Sequence, residues 1–287
     1  MIRPMRPSDL PGGEALCRAC GWNQLASDWE QLLALGGAGC LVAEEDGKVA
    51  GTLTSVVYDG RFAWIGMVLV EPALRGRGMA TALMNQAIEA LGSVEARLDA
   101  TPQGHPLYAR LGFIEEGRLV RMTREPAGAG TGASSNSAPS PGTRPMENRD
   151  LDEVLARDLG AFGADRAALL RWAFRRAPAL ARVVHEGESR GLRGYCFGRP
   201  GHRWWQVGPV VADCLDTAEA IVSGCVRAIG DVPLVIDADA GVPGWVERLT
   251  KLGFVVQRPF IRMRRGMANR LPAGPGRQLA IFGPEWG

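Results

Sequence analysis

The chain states one pattern twice. Leu111-Gly112-Phe113 is followed by Arg121-Met122, and Leu252-Gly253-Phe254 is followed by Arg262-Met263 at the same spacing, so the copies lie 141 positions apart. A period of that length is far beyond the roughly 20–50 residues of a stacking repeat and fits a duplicated domain. At 287 residues the chain is long for one core and comfortable for two domains of ordinary size. The copies differ in one respect above all. The first carries the turn Arg75-Gly76-Arg77-Gly78-Met79-Ala80 and a later Tyr108; the second has neither.

Residues 127–145 are built almost wholly of Gly, Ala, Ser, Thr and Pro. Such a segment cannot bury enough apolar surface to order itself and reads as a flexible connection. It falls where a duplication needs its boundary, which gives an N-terminal domain over 1–126, a linker over 127–145 and a C-terminal domain over 146–287. Apolar residues at 46% and charged ones at 22% match a soluble globular protein. No apolar run approaches the roughly 18–20 residues that span a bilayer, so no membrane partner is expected. The first residues, Met1-Ile2-Arg3-Pro4-Met5-Arg6-Pro7, form no leader, and the expected location is cytoplasmic.

A net charge of +2 marks no nucleic-acid partner, and Arg262-Met263-Arg264-Arg265 reads as a solvated strand end. Six cysteines are scattered along the chain, with only Cys17 and Cys20 in a C-x-x-C spacing. They open one helical turn and have no second pair or nearby histidine, so no metal site is expected.

In the first copy, strand patterns over Cys40–Ala43 and Val49–Val57 flank a hairpin signal, and a further strand runs over Ala63–Val70. A helix follows over Ala80–Leu91, then a strand over Ala96–Ala100, a helix over Leu107–Leu111 stopped by Gly112, and a strand over Phe113–Met122. The second copy repeats the order less clearly, ending in a helix over Trp245–Leu252 and a strand over Phe254–Met263. The expected fold class is α+β, in two tandem domains, each a mixed and mostly antiparallel sheet flanked by helices.

The chemistry sits in the first copy. A strand through Met67-Val68-Leu69-Val70 enters the Arg75–Ala80 turn, after which a helix begins. Glycines at 76 and 78 and the small Ala80 let backbone N–H groups converge, and the helix dipole adds partial positive charge, as a pyrophosphate requires. A Gly-rich turn alone is also compatible with a plain strand-to-helix connection. Tyr108, on a helix two elements later, is placed to reach the same cleft.

With these residues the chain resembles the GNAT superfamily of N-acetyltransferases over about residues 1–125. The family's R/Q-x-x-G-x-G/A is matched by Arg75, Gly78 and Ala80, and its Y-x-x-x-G-F by Tyr108, Gly112 and Phe113. The second half looks like a degenerate GNAT domain. The resemblance implies acetyl transfer from acetyl-coenzyme A to a primary amine, small-molecule or peptide, by direct attack in a ternary complex. It implies that Val68, Leu69 and Val70 run beside the pantetheine arm, with an N–H polarising the thioester carbonyl. The amides of Gly76, Arg77, Gly78, Met79, Ala80 and Thr81, with Arg75, hold the pyrophosphate, and Tyr108 protonates the departing thiolate.

Two positions depart from the family pattern. Thr101 stands where many relatives place an asparagine that contacts the cofactor, and no acidic residue lies near Met67 to act as general base; Glu71 is at the strand's end and Asp99 on the next strand. The sequence assigns no base. Trp22, Asn23 and Trp29 lie where relatives bind the acceptor, although both tryptophans also suit packing between helix and sheet.

In the second half the turn is replaced by Asp213-Cys214-Leu215-Asp216-Thr217-Ala218-Glu219-Ala220, whose carboxylates repel a pyrophosphate, and Leu249 stands in the tyrosine position. Asp165, Arg166 and Glu285 are candidates for recognising a polar acceptor; the alternative is a helix cap and a tail that packs. A non-catalytic acyl-coenzyme A sensor is the other functional reading, and the oligomeric state is open, a homodimer included.

Overall fold

The computed structural model describes residues 1–126, 142–186, 191–267 and 276–287. It divides into two compact units, neither of which is a contiguous half of the chain. The first unit holds residues 1–117, 260–267 and 284–287; the second holds the described residues of 118–259 and 276–283. The proposed linker lies mostly in 127–141, outside the described residues.

The first unit contains β1 (Ile2–Pro4), α1 (Leu10–Ala19), α2 (Ala26–Gly36), β2 (Leu41–Glu45), β3 (Lys48–Tyr58), β4 (Phe62–Val70), α3 (Met79–Leu91), β5 (Glu95–Ala100) and α4 (His105–Arg110). Then β6 (Ile114–Arg124) begins in the first unit and continues in the second. Local chemistry sets these boundaries. The Asp9 carboxylate accepts the Arg6 N–H at 2.7 Å and two Arg3 N–H bonds, fixing the turn into α1. Asp28 likewise accepts the Leu25 N–H at 2.7 Å to start α2, and Gly37 at φ +49° ends it. Asp46 and Gly47, both at positive φ, make the two-residue turn that joins β2 to β3.

The second unit contains β7 (Thr143–Pro145), α5 (Leu151–Phe162), α6 (Ala167–Arg176), β8 (Arg182–His185), β9 (Leu192–Arg199), β10 (Trp205–Ala212), α7 (Leu215–Ile229), β11 (Leu234–Asp239) and α8 (Trp245–Lys251). Next come β12 (Val255–Arg265), which passes into the first unit, and β13 (Arg277–Ala280). Strands β7 and β13 lie where the sequence points to none: one is the end of the expected linker, the other part of the tail.

In the first unit β1 to β4 are antiparallel neighbours, and β5 pairs with β4 in parallel. The outer edge of β5 is covered by β12, from Ile261 opposite Ala100 to Arg265 opposite Ala96. In the second unit β6 does the same for β11, from Leu234 opposite Arg124 to Asp239 opposite Leu119. The first half's β6 therefore pairs in the second unit, and the second half's β12 in the first.

The exchanged strands are fixed in the same way. Arg262 lies directly across from Asp99 and donates to it at 2.9 and 3.0 Å; Arg121 lies across from Asp237 at 2.7 and 2.8 Å. The Asp237 carboxylate is fully buried and also accepts a bond from Gln206 at 3.1 Å. Bidentate pairing offsets the cost of taking such charges out of water. Leu41, Leu53, Ile65, Leu83, Met84, Leu98 and Phe113 form the first core together with Met263 of the exchanged strand.

Removing one partner of a buried pair leaves the other uncompensated. Arg121→Ala is therefore expected to lower stability by about 3–5 kcal/mol in urea unfolding followed by circular dichroism. Residues 1–126 expressed alone lack the strand over β5 and are expected to show no cooperative transition, which co-expression with residues 142–287 restores.

Candidate active site

The site is built from an irregularity in β4. Thr52 pairs with Leu69 and Thr54 with Gly66, so β4 carries an extra residue between them, and Met67 adopts φ +48°. Thr52 Oγ1 donates to the Met67 carbonyl at 2.8 Å and fixes the bulge from within. Pairing of β4 with β5 runs only from Phe62 opposite Glu95 to Trp64 opposite Arg97. Beyond that, Leu98 to Ala100 of β5 pair with β12. Among the described residues no strand lies against Met67 to Val70 on the β5 side, so Val68, Leu69 and Val70 border an opening in the sheet.

At the end of β4 the chain makes one tight turn over Pro72–Leu74 and enters the Gly-rich segment. Gly76 and Gly78 sit at φ +80° and +83°, which L side chains rarely adopt, and a Cβ at either position would meet nothing within 4 Å. The glycines thus leave open space in front of α3. The first bond of that helix runs from Ala82 N–H to the Gly78 carbonyl at 3.0 Å, so the amides of Met79, Ala80 and Thr81 have no acceptor within the helix. The positive end of the helix dipole points the same way.

Arg75 is held at the rim by a bond from its Nε to the Val70 carbonyl at 3.2 Å and from Nη2 to Cys20 Sγ at 3.2 Å. Arg77 is exposed, 3.7 Å from Glu45. The residue types that suit a pyrophosphate are all present and face open space.

Tyr108 lies on α4 and packs, with Val68 and Met79, against the core of the first unit. Its ring meets Phe113 edge-on at 6.1 Å, and the missing Cβ of Gly104 leaves room for it. Burial pushes its hydroxyl up to about 12, so it stays a protonated phenol at neutral pH and remains a proton donor.

Of the expected acceptor residues, Trp22 is half-buried after α1, held by its N–H to the Cys17 carbonyl at 2.9 Å. Asn23 is buried beside it. Trp29 is fully buried with its ring against Gly13, reached by no solvent. In the second unit Asp165 accepts the Ala167 N–H at 2.7 Å as a helix cap, and Arg166 is buried in a bidentate pair with Asp158. Glu285 belongs to the first unit, where its backbone lies against Gly66. No local pattern marks that placement, because it depends on a contact between residues far apart in sequence.

The second unit repeats the strand arrangement with a different outcome. Parallel pairing of β10 with β11 stops at Val207 opposite Ile236, and β13 then enters the gap. It pairs with β10 at Val210, Val211 and Ala212, and with β11 at Ala238. Trp245 Nε1 donates to the Leu279 carbonyl at 2.9 Å, and Arg166 reaches Gln278 at 3.1 Å, so the inserted strand is anchored. Where the first unit has its turn, Asp213 pairs with Arg193, while Asp216 and Glu219 both bind Arg248. Leu249 is fully buried core.

The model described as the Acetyltransferase (GNAT) family matches residues 14–113, and that described as an Acetyltransferase (GNAT) domain matches residues 154–277. The holothin acyltransferase of Pseudoalteromonas sp. (strain SANK 73390) is 25% identical over 252 residues, covering 85% of this chain and 81% of its own. A putative acetyltransferase from Pyrococcus horikoshii superposes with a TM-score of 0.79 at 23% identity, over 100% of this chain and 95% of that one. A tandem GNAT protein from the clavulanic acid biosynthesis pathway gives a TM-score of 0.64 at 15% identity, over 94% of this chain and 99% of that one. With a GNAT match in each half and a tandem GNAT fold along nearly its whole length, the chain belongs to the GNAT acetyltransferase family.

Proposed function

We propose that the first unit binds acetyl-coenzyme A and transfers its acetyl group to a primary amine by direct attack within a ternary complex. The observation that carries this reading is the Gly76–Gly78 turn, which opens the unpaired first-turn amides of α3 to space at the end of a strand already parted from its parallel neighbour. The amides from Gly76 to Thr81 hold the pyrophosphate, with Arg75 and Arg77 adding charge at the rim. The pantetheine arm lies along Met67 to Val70, and an N–H at the bulge polarises the thioester carbonyl, where negative charge grows as nitrogen attacks.

The bound thioester supplies the activated acyl group. As the C–N bond forms and the C–S bond breaks, Tyr108 gives its proton to the sulfur. A neutral phenol beside the leaving thiolate suits an enzyme, and nothing observed favours a non-catalytic sensor. The second unit takes no acetyl-coenzyme A in this reading, because β13 occupies the corresponding gap and carboxylates replace the glycines.

Gly78→Glu places a carboxylate in the cradle and is expected to weaken acetyl-coenzyme A binding by about 100-fold in calorimetric titration of the full-length protein. Tyr108→Phe is expected to lower kcat by about 100-fold while the cofactor Kd stays within about twofold, which steady-state kinetics and titration together resolve. Since the Tyr108 hydroxyl is raised to about 12, its loss of the proton contributes no fall in kcat below about pH 10. A Tyr108-dependent alkaline limb centred near pH 8–9 would show that the hydroxyl is not held that high.

A further inference from the structure

The bulge in β4 holds Met67 at φ +48°, and a non-glycine residue in that region persists only where its surroundings over-determine it. On the β3 side the Thr52 hydroxyl fixes the Met67 carbonyl at 2.8 Å. On the β5 side no strand meets Met67 among the described residues. The sheet thus restrains the bulge from one side, and a further restraint acts at the preceding residue, Gly66.

Phe62, Trp64 and Gly66 share one face of β4 by strand alternation, and Tyr58 lies opposite Phe62 in register. On this face sits the segment Pro284–Gly287, which belongs to the same compact unit. Trp64 Nε1 donates to the Pro284 carbonyl at 3.0 Å, and Tyr58 Oη donates to the Trp286 carbonyl at 3.1 Å. Between these anchors the Glu285 backbone meets Gly66 so closely that a Cβ at 66 would fall 2.6 Å from the Glu285 Cα and 3.2 Å from its carbonyl oxygen. A glycine inside a strand marks just such an approach of another backbone. Glu285 and Trp286 are both buried, so the segment cannot retreat from Gly66 without opening a cavity in a close-packed interior.

Resting on the acetyl-transfer reading above, we propose that Pro284–Trp286 is a positioning element of the thioester site: it clamps Gly66 and so holds the bulge in the geometry in which its N–H polarises the thioester carbonyl. Its action runs through the Gly66 backbone and requires no contact with either ligand. A preorganised amide stabilises the negative charge that grows on the thioester oxygen, and a misplacement of about 1 Å costs about 100-fold in rate. The pyrophosphate cradle lies beyond the end of β4 and is shaped by its own turn, so loss of the clamp affects carbonyl polarisation and leaves cofactor affinity nearly intact.

The test binds acetyl-coenzyme A with a carbon-13 thioester carbonyl to the full-length protein and reads the carbonyl stretch by isotope-edited infrared spectroscopy, with Kd from calorimetric titration; neither needs an acceptor. The wild-type stretch is expected at lower frequency than that of free acetyl-coenzyme A in solution, because a well-aimed hydrogen bond weakens the C=O bond. Gly66→Ala sets a Cβ against the Glu285 backbone, so that either the segment or the bulge must move. It is expected to abolish most of the downshift while Kd stays within about threefold. Tyr58→Phe removes one anchor with little change of volume and is expected to lose a smaller part of the downshift; it decides the matter where Gly66→Ala does not fold. A folded Gly66→Ala protein with the wild-type stretch would overturn the proposal, as would loss of affinity in either variant with the stretch of the bound fraction unchanged, which marks the segment as structural. A wild type that fails to bind acetyl-coenzyme A would instead refute the acetyl-transfer reading itself.

Discussion

An arginine set directly across from an aspartate, once in each unit, is the constraint on which the rest of the architecture depends. Arg262 on Asp99 and Arg121 on Asp237 fix the register of the two exchanged strands. A strand slipped by one residue would turn every side chain to the opposite face and strand each charge in an apolar layer. With β12 held on its outer edge, β5 has its pairing satisfied from Ala96 to Ala100 and makes only three pairs with β4. The opening beside Met67 to Val70 is thus maintained while β12 holds Leu98 to Ala100 from their other edge. The site depends on a strand supplied by the half of the chain that lacks the motif.

The duplicated plan has been put to two uses. In the first unit the opening between parallel strands stays clear, and the turn beyond it uses glycines where the backbone conformation requires them. In the second unit the chain's own β13 fills the opening and is anchored by Trp245, Arg166 and the β10 backbone. A β-strand satisfies the same exposed backbone groups that an extended ligand arm would, which turns a binding gap into sheet. The carboxylates that replace the glycines are paired with Arg193 and Arg248, so they stabilise the surface where the first unit holds open space.

Much of this was legible in the sequence, where the determinants are local. The hairpin between β2 and β3, the helix stop at Gly112, and the strand-turn-helix leading through Arg75–Ala80 follow from dihedral preference and hydrophobic period alone. The repeated Arg-Met of residues 121–122 and 262–263 was visible as a mark of duplication. Its task was not, because alternation reports which face a residue takes and is silent on which strand it will meet. For the same reason β13 and the Glu285 tail escaped: a short strand or tail has no periodicity to read, and its place is set by Gly66, Tyr58 and Trp64, about 220 residues upstream. Trp29 shows the opposite limit, since an aromatic near the acceptor loop reads alike whether it lines a site or, as its burial against Gly13 shows here, packs in the core.

The central claim is that acetyl-coenzyme A is held by the first unit alone, along β4 and the turn into α3. Hydrogen–deuterium exchange of the full-length protein with and without acetyl-coenzyme A tests it most directly, because the ligand's partners are backbone amides. The account predicts added protection in residues 67–81 and none in residues 205–220. Protection of the second segment, or none in the first despite binding, would contradict it.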